Sequence, residues 1–167
     1  GYDYPFGGLC GAGVAFKLAW ALCQRASNAQ KVSPPMREFL LAAMGLAAMG
    51  TVADVVPLID ENRILVHHGL TSLHQASLPG LAALLQVTEL HNKPRLTVED
   101  IGFTLAPRLN AAGRLGQAQL GVELLTTQSA DRGKALAEYI HQLNSSRESL
   151  ERSMTLAAAK MAKEQFD

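Results

Sequence analysis

The chain has 167 residues, 48% of them apolar, and a formal net charge of zero. That is room for one ordinary domain, or a helical subdomain with a linker, and the composition excludes a disordered polypeptide. Charge also balances locally, with five basic and five acidic residues up to Ala83 and ten of each after it, so any nucleic-acid site must be local and not a broad basic field.

Cys10 and Cys23 have neither C-x-x-C nor zinc-site spacing and follow no secretory signal, which predicts reduced, buried thiols in a cytoplasmic protein. The longest uncharged run, Phe39 to Ala53, is shorter than the ~20 residues of a spanning helix, so no membrane segment is expected. The chain opens at Gly1 and stops at Asp167 inside a helical pattern without a cap, so both ends read as cut.

Strand-like alternation is almost absent, and the expected class is mainly α. Gly11-Ala12-Gly13 opens a helix over Val14 to Arg25 with Leu18, Ala19 and Leu22 on one face. Ser27 to Pro35 reads as a loop, because Pro34-Pro35 excludes a helix until after it. From Met36 to Met49 the pattern is apolar nearly all round and predicts a buried helix. Val52 to Val56 either finishes that helix or turns to extended structure. Asp60 is a natural N-cap for a helix carrying Ile64, Leu65 and His68. Leu78-Pro79-Gly80 breaks the chain before Leu81 to Val87. Thr97-x-x-Asp100 has capping-box spacing and leads into Ile101 to Ala106. Pro107 to Gly116 reads as turn-rich, and Gln119 to Leu125 as a short helix. The last helix, Ala130 to Phe166, keeps 3–4 spacing at Leu136, Ile140, Leu143, Leu150, Met154, Ala157 and Met161, a narrow seam against one neighbour or a connector between domains.

Asp54 is the most informative residue. It is the first charge after fifteen uncharged positions, and Val55, Val56, Pro57 and Leu58 follow it. A carboxylate in such company needs compensation, from a metal ion, an arginine or a helix-terminal role. No second ligand lies nearby in sequence. Between Ile101 and Val122 the only charges are Arg108 and Arg114, with Asn110 and Gly113 between them. On a regular helix, residues six apart face different ways, but a Pro/Gly turn would let both guanidiniums converge on a phosphate. Pairing of each arginine with a distant carboxylate is an equal alternative.

His67-His68 is read as a surface pair, because adjacent helical side chains diverge by ~100°. His74, His91 and His141 are isolated and read as structural. Gly7-Gly8-Leu9-Cys10-Gly11-Ala12-Gly13 lacks the Lys-Ser/Thr of a P-loop and reads as a tight turn. Arg152, Lys160 and Lys163, alternating with Glu148, Glu151 and Glu164, form a solvated helix face.

Three segments together resemble the RecJ branch of the DHH phosphoesterases. Tyr4-Pro-Phe-Gly-Gly-Leu-Cys-Gly-Ala-Gly-Val-Ala-Phe-Lys-Leu18 is similar to the stretch that follows the family's Asp-His-His motif. Thr51-Val-Ala-Asp-Val-Val-Pro-Leu58, continuing to Glu61-Asn-Arg-Ile-Leu-Val66, resembles the fourth motif, whose Asp is a metal ligand. Leu105-Ala-Pro-Arg-Leu-Asn-Ala-Ala-Gly-Arg-Leu115 resembles the next motif, placed against the DNA backbone. Leu143-Asn-x-x-Arg147 resembles the start of the connecting helix. The family's first three motifs are missing.

The resemblance implies the helical second half of an α/β DHH catalytic domain over residues 1–128, then a connecting helix over 129–167 toward a DHHA1-type domain. It implies a fragment of a 5′-to-3′ single-stranded-DNA exonuclease of DNA repair and recombination that uses Mn²⁺ or Mg²⁺ and is inactive alone. Asp54 would be the catalytic metal ligand, and Arg108, Asn110 and Arg114 would hold DNA phosphate. Single-stranded DNA is the implied partner, with a single-stranded-DNA-binding protein or a helicase as candidate protein partners. The alternatives are a DHH phosphodiesterase for short oligonucleotides or cyclic dinucleotides, and an inactive RecJ-like replication scaffold.

Overall fold

A computed structural model describes residues 4–28, 31–75, 78–114 and 116–166, and every regular element among them is helical. Ala29 and Gln30 of the expected loop, Leu115 of the third family-like segment, and Asp167 lie outside the described residues. The helices are α1 (Gly11–Ala26), α2 (Pro34–Ala53), α3 (Asp60–Gln75), α4 (Pro79–Val87), α5 (Val98–Asp100), α6 (Ala106–Arg114), α7 (Ala118–Thr126) and α8 (Ala130–Phe166). A 3₁₀ turn, Leu90–Asn92, precedes α5, and a π-helical turn, Ile101–Leu105, joins α5 to α6.

Several expectations need correction. α2 begins at Pro34, not after the proline pair, because Pro34 and Pro35 occupy its first two positions, where the missing N–H groups would be unpaired anyway. It is 20 residues long and, by length and composition, could cross a membrane. Arg37 and Glu38 lie in its first turns, however, and Gly45, Ala47, Ala48, Met49 and Thr51 are buried in the bundle, which marks a core helix. Its burial is not uniform: Phe39 and Leu41 are exposed.

Asp60 lies inside the first turn of α3, not at its N-cap, because the first bond runs from the Arg63 N–H to the Ile59 carbonyl. Pro107 to Arg114 is helix, not turn. The π-helical turn just before it shifts the hydrogen-bond register, so Pro107 enters α6 without breaking it. The Thr97/Asp100 capping box is formed, with the two side chains answering each other's backbone N–H.

Two sets of helices make the core. α1, α2 and α3 pack in sequence around Phe16, Ala47 and Leu65. α4, α6 and α7 pack on α8 around Leu84, Ile101, Leu105, Leu124 and Ile140, all fully buried. Met49 and Leu73 reach from α2 and α3 into this second cluster, and α2 also touches the π turn and α6. The α4–α8 approach is close because Gly80 and Gly133 face each other; a Cβ on Gly80 would lie 1.8 Å from the Leu124 carbonyl oxygen. α8 then divides: Leu136, Ala137 and Ile140 are buried, whereas Leu150, Met154 and Met161 are exposed. Cys10 is buried and Cys23, expected to be buried, is only partly so; both are free thiols.

Candidate metal and phosphate site

The family-like segments meet in space although they are far apart in sequence. Asn62, fully buried, donates from Nδ2 to the carbonyls of Gly8 at 2.8 Å and Pro57 at 3.0 Å, which pins the glycine turn and the segment after Asp54 together. Cys10 Sγ lies 3.5 Å from Thr51 Oγ1, whose hydroxyl also has the Ala47 carbonyl at 2.7 Å. Tyr4 donates its hydroxyl to Glu61, and Lys17 pairs with Glu61 at 2.9 Å. Burial opposes the Lys17 ammonium, yet Glu61 and Tyr4 outweigh it and hold it above the usual lysine range. Lys17, with burial opposing, holds Glu61 below the usual carboxylate range. Sequence reasoning assigned none of these ties: Asn62 stands in the charged run Asp60-Glu61-Asn62-Arg63, where no local pattern marks it as buried.

Asp54 stands at the C-cap of α2, its N–H on the Gly50 carbonyl at 3.0 Å. Its side chain is exposed, so the buried carboxylate expected from its apolar neighbours is not what the fold produces. The backbone turns away there and lifts the carboxylate clear of the bundle. Its position is still electrostatically unfavourable: the C-terminal end of a helix carries partial negative charge, and the last turn of α2 has no basic residue. Val55, next in the chain, has φ +57°, a left-handed conformation that β-branched residues avoid at a cost of roughly 1–3 kcal/mol.

Asn110 faces the same region. A groove of about 350 Å³ runs between Val52, Ala53 and Val55 on one wall and Gly102, Phe103 and Asn110 on the other. The end of α2 that carries Asp54 thus lies across an open groove from α6. Among the described residues no three His, Cys, Asp or Glu side chains form a group able to hold a metal ion. The described residues therefore do not by themselves build a metal centre, and among them Asp54 fits one as a single ligand that needs others beside it.

The two arginines do not converge as the expected turn would allow. Because α6 is helical, Arg108 and Arg114 are six positions apart on one helix and face different ways. Arg108 is partly buried and donates from Nη1 to the Thr104 carbonyl at 2.7 Å and from Nε to His141 Nδ1 at 3.1 Å. Burial holds its guanidinium below the usual arginine range, the negative charge of Glu148 opposing this. It remains a cation. Arg114 is exposed in the last turn of α6, where a cation is favoured by the helix end.

His67 and His68 are exposed, with rings edge-to-face and centroids 4.9 Å apart. His74 Nε2 lies 2.7 Å from the Lys93 carbonyl. His141 is the histidine that sequence reasoning undervalued, because its contact with Arg108 spans 33 residues of sequence.

No family model matches the chain. Among curated proteins it is similar to the single-stranded-DNA-specific exonuclease RecJ of Bacillus subtilis, 39% identical over 165 residues, which is 99% of this chain and 19% of that protein. RecJ of Thermus thermophilus is 41% identical over 144 residues, 86% of this chain and 20% of that protein. RecJ of Escherichia coli is 38% identical over 162 residues, 93% of this chain and 27% of that protein. Among solved structures, Thermus thermophilus RecJ in complex with Mn²⁺ superposes with a TM-score of 0.75 at 38% identity, covering 91% of this chain and 21% of that one. An exonuclease RecJ bound to manganese superposes with a TM-score of 0.76 at 38% identity, covering 91% of this chain and 36% of that one. The chain spans about a fifth to a quarter of the length of these curated relatives. By sequence and by helical fold the chain is similar to one segment of the RecJ exonucleases.

Proposed function

We propose that this chain is the helical part of a metal-dependent exonuclease that degrades single-stranded DNA from the 5′ end in repair and recombination. In this reading Asp54 contributes one carboxylate to a Mn²⁺ or Mg²⁺ site, and Arg108, Asn110 and Arg114 hold the phosphate backbone. Residues 129–167 connect to a further domain. The setting is cytoplasmic, and a single-stranded-DNA-binding protein or a helicase is the expected protein partner.

The observation that carries this reading is the placement of Asp54. An exposed acid at the negative end of a helix, with no basic residue in its last turn, is disfavoured by about 0.3–1 kcal/mol, which a cation set against it would reverse. Among the described residues its carboxylate has no arginine partner, and Asp54 closes α2 through its backbone N–H alone. The relatives named as exonucleases, and the related structures holding Mn²⁺ or Mg²⁺, point to the same chemistry. One carboxylate cannot bind a divalent ion tightly, so the 167-residue chain alone is expected to be inactive.

The test is Asp54→Ala in a full-length RecJ polypeptide carrying this segment. Turnover on single-stranded DNA should fall by orders of magnitude with the thermal midpoint unchanged or raised, since an uncompensated acid is removed. Near-normal turnover would make Asp54 a structural residue and defeat the metal assignment.

A further inference from the structure

At the junction of α6 and α8, Arg108 is held by a neutral acceptor although a carboxylate is close enough to act on it. Burial holds the Arg108 guanidinium below its usual range and the charge of Glu148 opposes this, yet Glu148 Oε1 accepts from Asn144 Nδ2 at 2.6 Å. The acceptor that Arg108 does use is His141 Nδ1, at 3.1 Å. An Nε–H can only donate, so Nδ1 must carry a lone pair, and the imidazole is neutral with its proton on Nε2. A brace of purely structural purpose would gain more from a carboxylate, which strengthens the bond by charge. A neutral acceptor instead orients the guanidinium and leaves its charge available to an anion.

We propose that His141 is a positioning residue for Arg108: as a neutral imidazole it fixes the guanidinium for a phosphate, and on protonation it lets go. The inference rests on the reading of Arg108 as a phosphate contact. Arginine has a long, flexible side chain and loses rotamer freedom when fixed. The bonds from Nε to His141 and from Nη1 to Thr104 fix it before any ligand arrives, with the Nη2 hydrogens uncommitted to either of them. Protonation turns Nδ1 into a donor facing another donor and sets two cations side by side.

The surroundings leave few other titrating groups to confuse the effect. α4 carries no titratable side chain, α7 carries only Glu123, which pairs with Arg132, and α6 carries Arg108 and Arg114. On α8 itself, Glu138 stands three residues before His141 and pairs with Lys134 at 4.0 Å, Glu148 acts on Arg108, and Glu151 pairs with Arg147. Within the same stretch of α8, Asn144 Oδ1 and Arg147 Nε are buried without a protein partner, so the junction has polar capacity beyond what the fold uses.

The experiment measures binding of an oligo-dT by full-length RecJ carrying this segment, with metal chelated, across salt concentration and from about pH 8 to about pH 5, where histidines change charge. At pH 8, His141→Ala should weaken binding about threefold to tenfold, the scale of one lost hydrogen bond. It should do nothing further in an Arg108→Ala background. His141→Asn, whose amide oxygen sits about where Nδ1 sat and does not titrate, should restore binding at pH 8. It should also keep the Arg108-dependent part of the affinity at pH 5, where the unsubstituted protein loses it.

If Arg108→Ala weakens binding while His141→Ala binds normally or only melts earlier, the positioning role is overturned and the phosphate reading stands. If His141→Asn and the unsubstituted protein share one pH profile, the protonation step is overturned. If Arg108→Ala itself changes neither affinity nor salt dependence, the phosphate reading falls and this inference with it. Should His141→Ala fail to fold, the Asn variant and the pH series still decide.

Discussion

The α1–α3 unit and the α4–α8 unit are both apolar helical assemblies, but they bury their apolar surface to different degrees. In the second, Leu84, Ile101, Leu105, Leu124 and Ile140 are fully buried and the helices close on one another. In the first, the buried set is small, and Val14, Leu18 and Leu22 form an exposed stripe along α1 at i, i+4, i+8 spacing. Ile64 on α3 and Val55 and Ile59 near the end of α2 are exposed as well. Apolar exposure on this scale marks a face suited to contact. The groove beside Asp54 runs along the boundary between the two units, where α2 meets the π turn and α6. The lesson is one of division: the closed unit supplies rigidity, and the open unit brings its charged end to the joint.

The largest expected effect tests that contrast directly. Leu105→Ala, in the closed unit, should cost about 2–5 kcal/mol of unfolding free energy. Leu18→Ala, on the open stripe, should stay within about 0.5 kcal/mol in this chain. Urea unfolding of both variants measures this; equal losses would show that the two units are not differently packed. Repeating Leu18→Ala in a full-length RecJ carrying the segment sharpens the comparison, since a loss above about 2 kcal/mol there would mean that the stripe is covered.

Next in size is Gly80→Ala. Its Cβ would strike the Leu124 carbonyl and approach Gly133, so α4 must move off α8. Overpacking of this kind costs about 1–3 kcal/mol. Val87→Ala, at the looser end of α4, should cost less, and a thermal melt ranks the two.

The two arginines, both on α6 of the closed unit, divide by burial. In a full-length RecJ carrying this segment, the proposed phosphate role predicts that Arg114→Ala flattens the slope of log K against log[salt] for single-stranded DNA by about 0.7 and leaves the melt unchanged. Arg108→Ala should lower the melting temperature as well, because it removes the bonds to Thr104 and His141. If both variants melt early and both keep the original slope, the phosphate site lies elsewhere.

The smallest effect is a pH dependence inside the closed unit. Burial pushes the Asp100 carboxyl up, but Lys93 and the Thr97 N–H and hydroxyl outweigh it and hold it below the usual range. A carboxylate depressed on folding stabilises above its unfolded pKa, near 3.9, and that stability disappears as pH falls through the folded value. Asp100→Asn should therefore be less stable than the unsubstituted chain at pH 7, with the difference shrinking toward pH 2. A constant difference across that range would assign the effect to lost packing.

The helices were largely legible because helix periodicity and caps are local. The last helix, the Thr97/Asp100 box and the short helix near Gln119 stand within a residue or two of where the pattern put them. Pro107 misled because a proline reads as a breaker, whereas the π turn that admits it has no simple sequence signature. That error removed the argument for convergent arginines while leaving both residues in place.

What the sequence determined by itself was the helical class, the order of the elements and the kinship carried by three short segments, all properties of residues near one another in the chain. Tertiary structure alone decided that Asp54 is exposed at a helix end, that Asn62 ties the glycine turn to the segment beyond it, and that His141 meets Arg108. Those outcomes depend on which surfaces are covered and on contacts between residues 33 to 54 positions apart. Periodicity reports which face of a helix is apolar, but a distant partner decides whether that face, or the charge beside it, is buried.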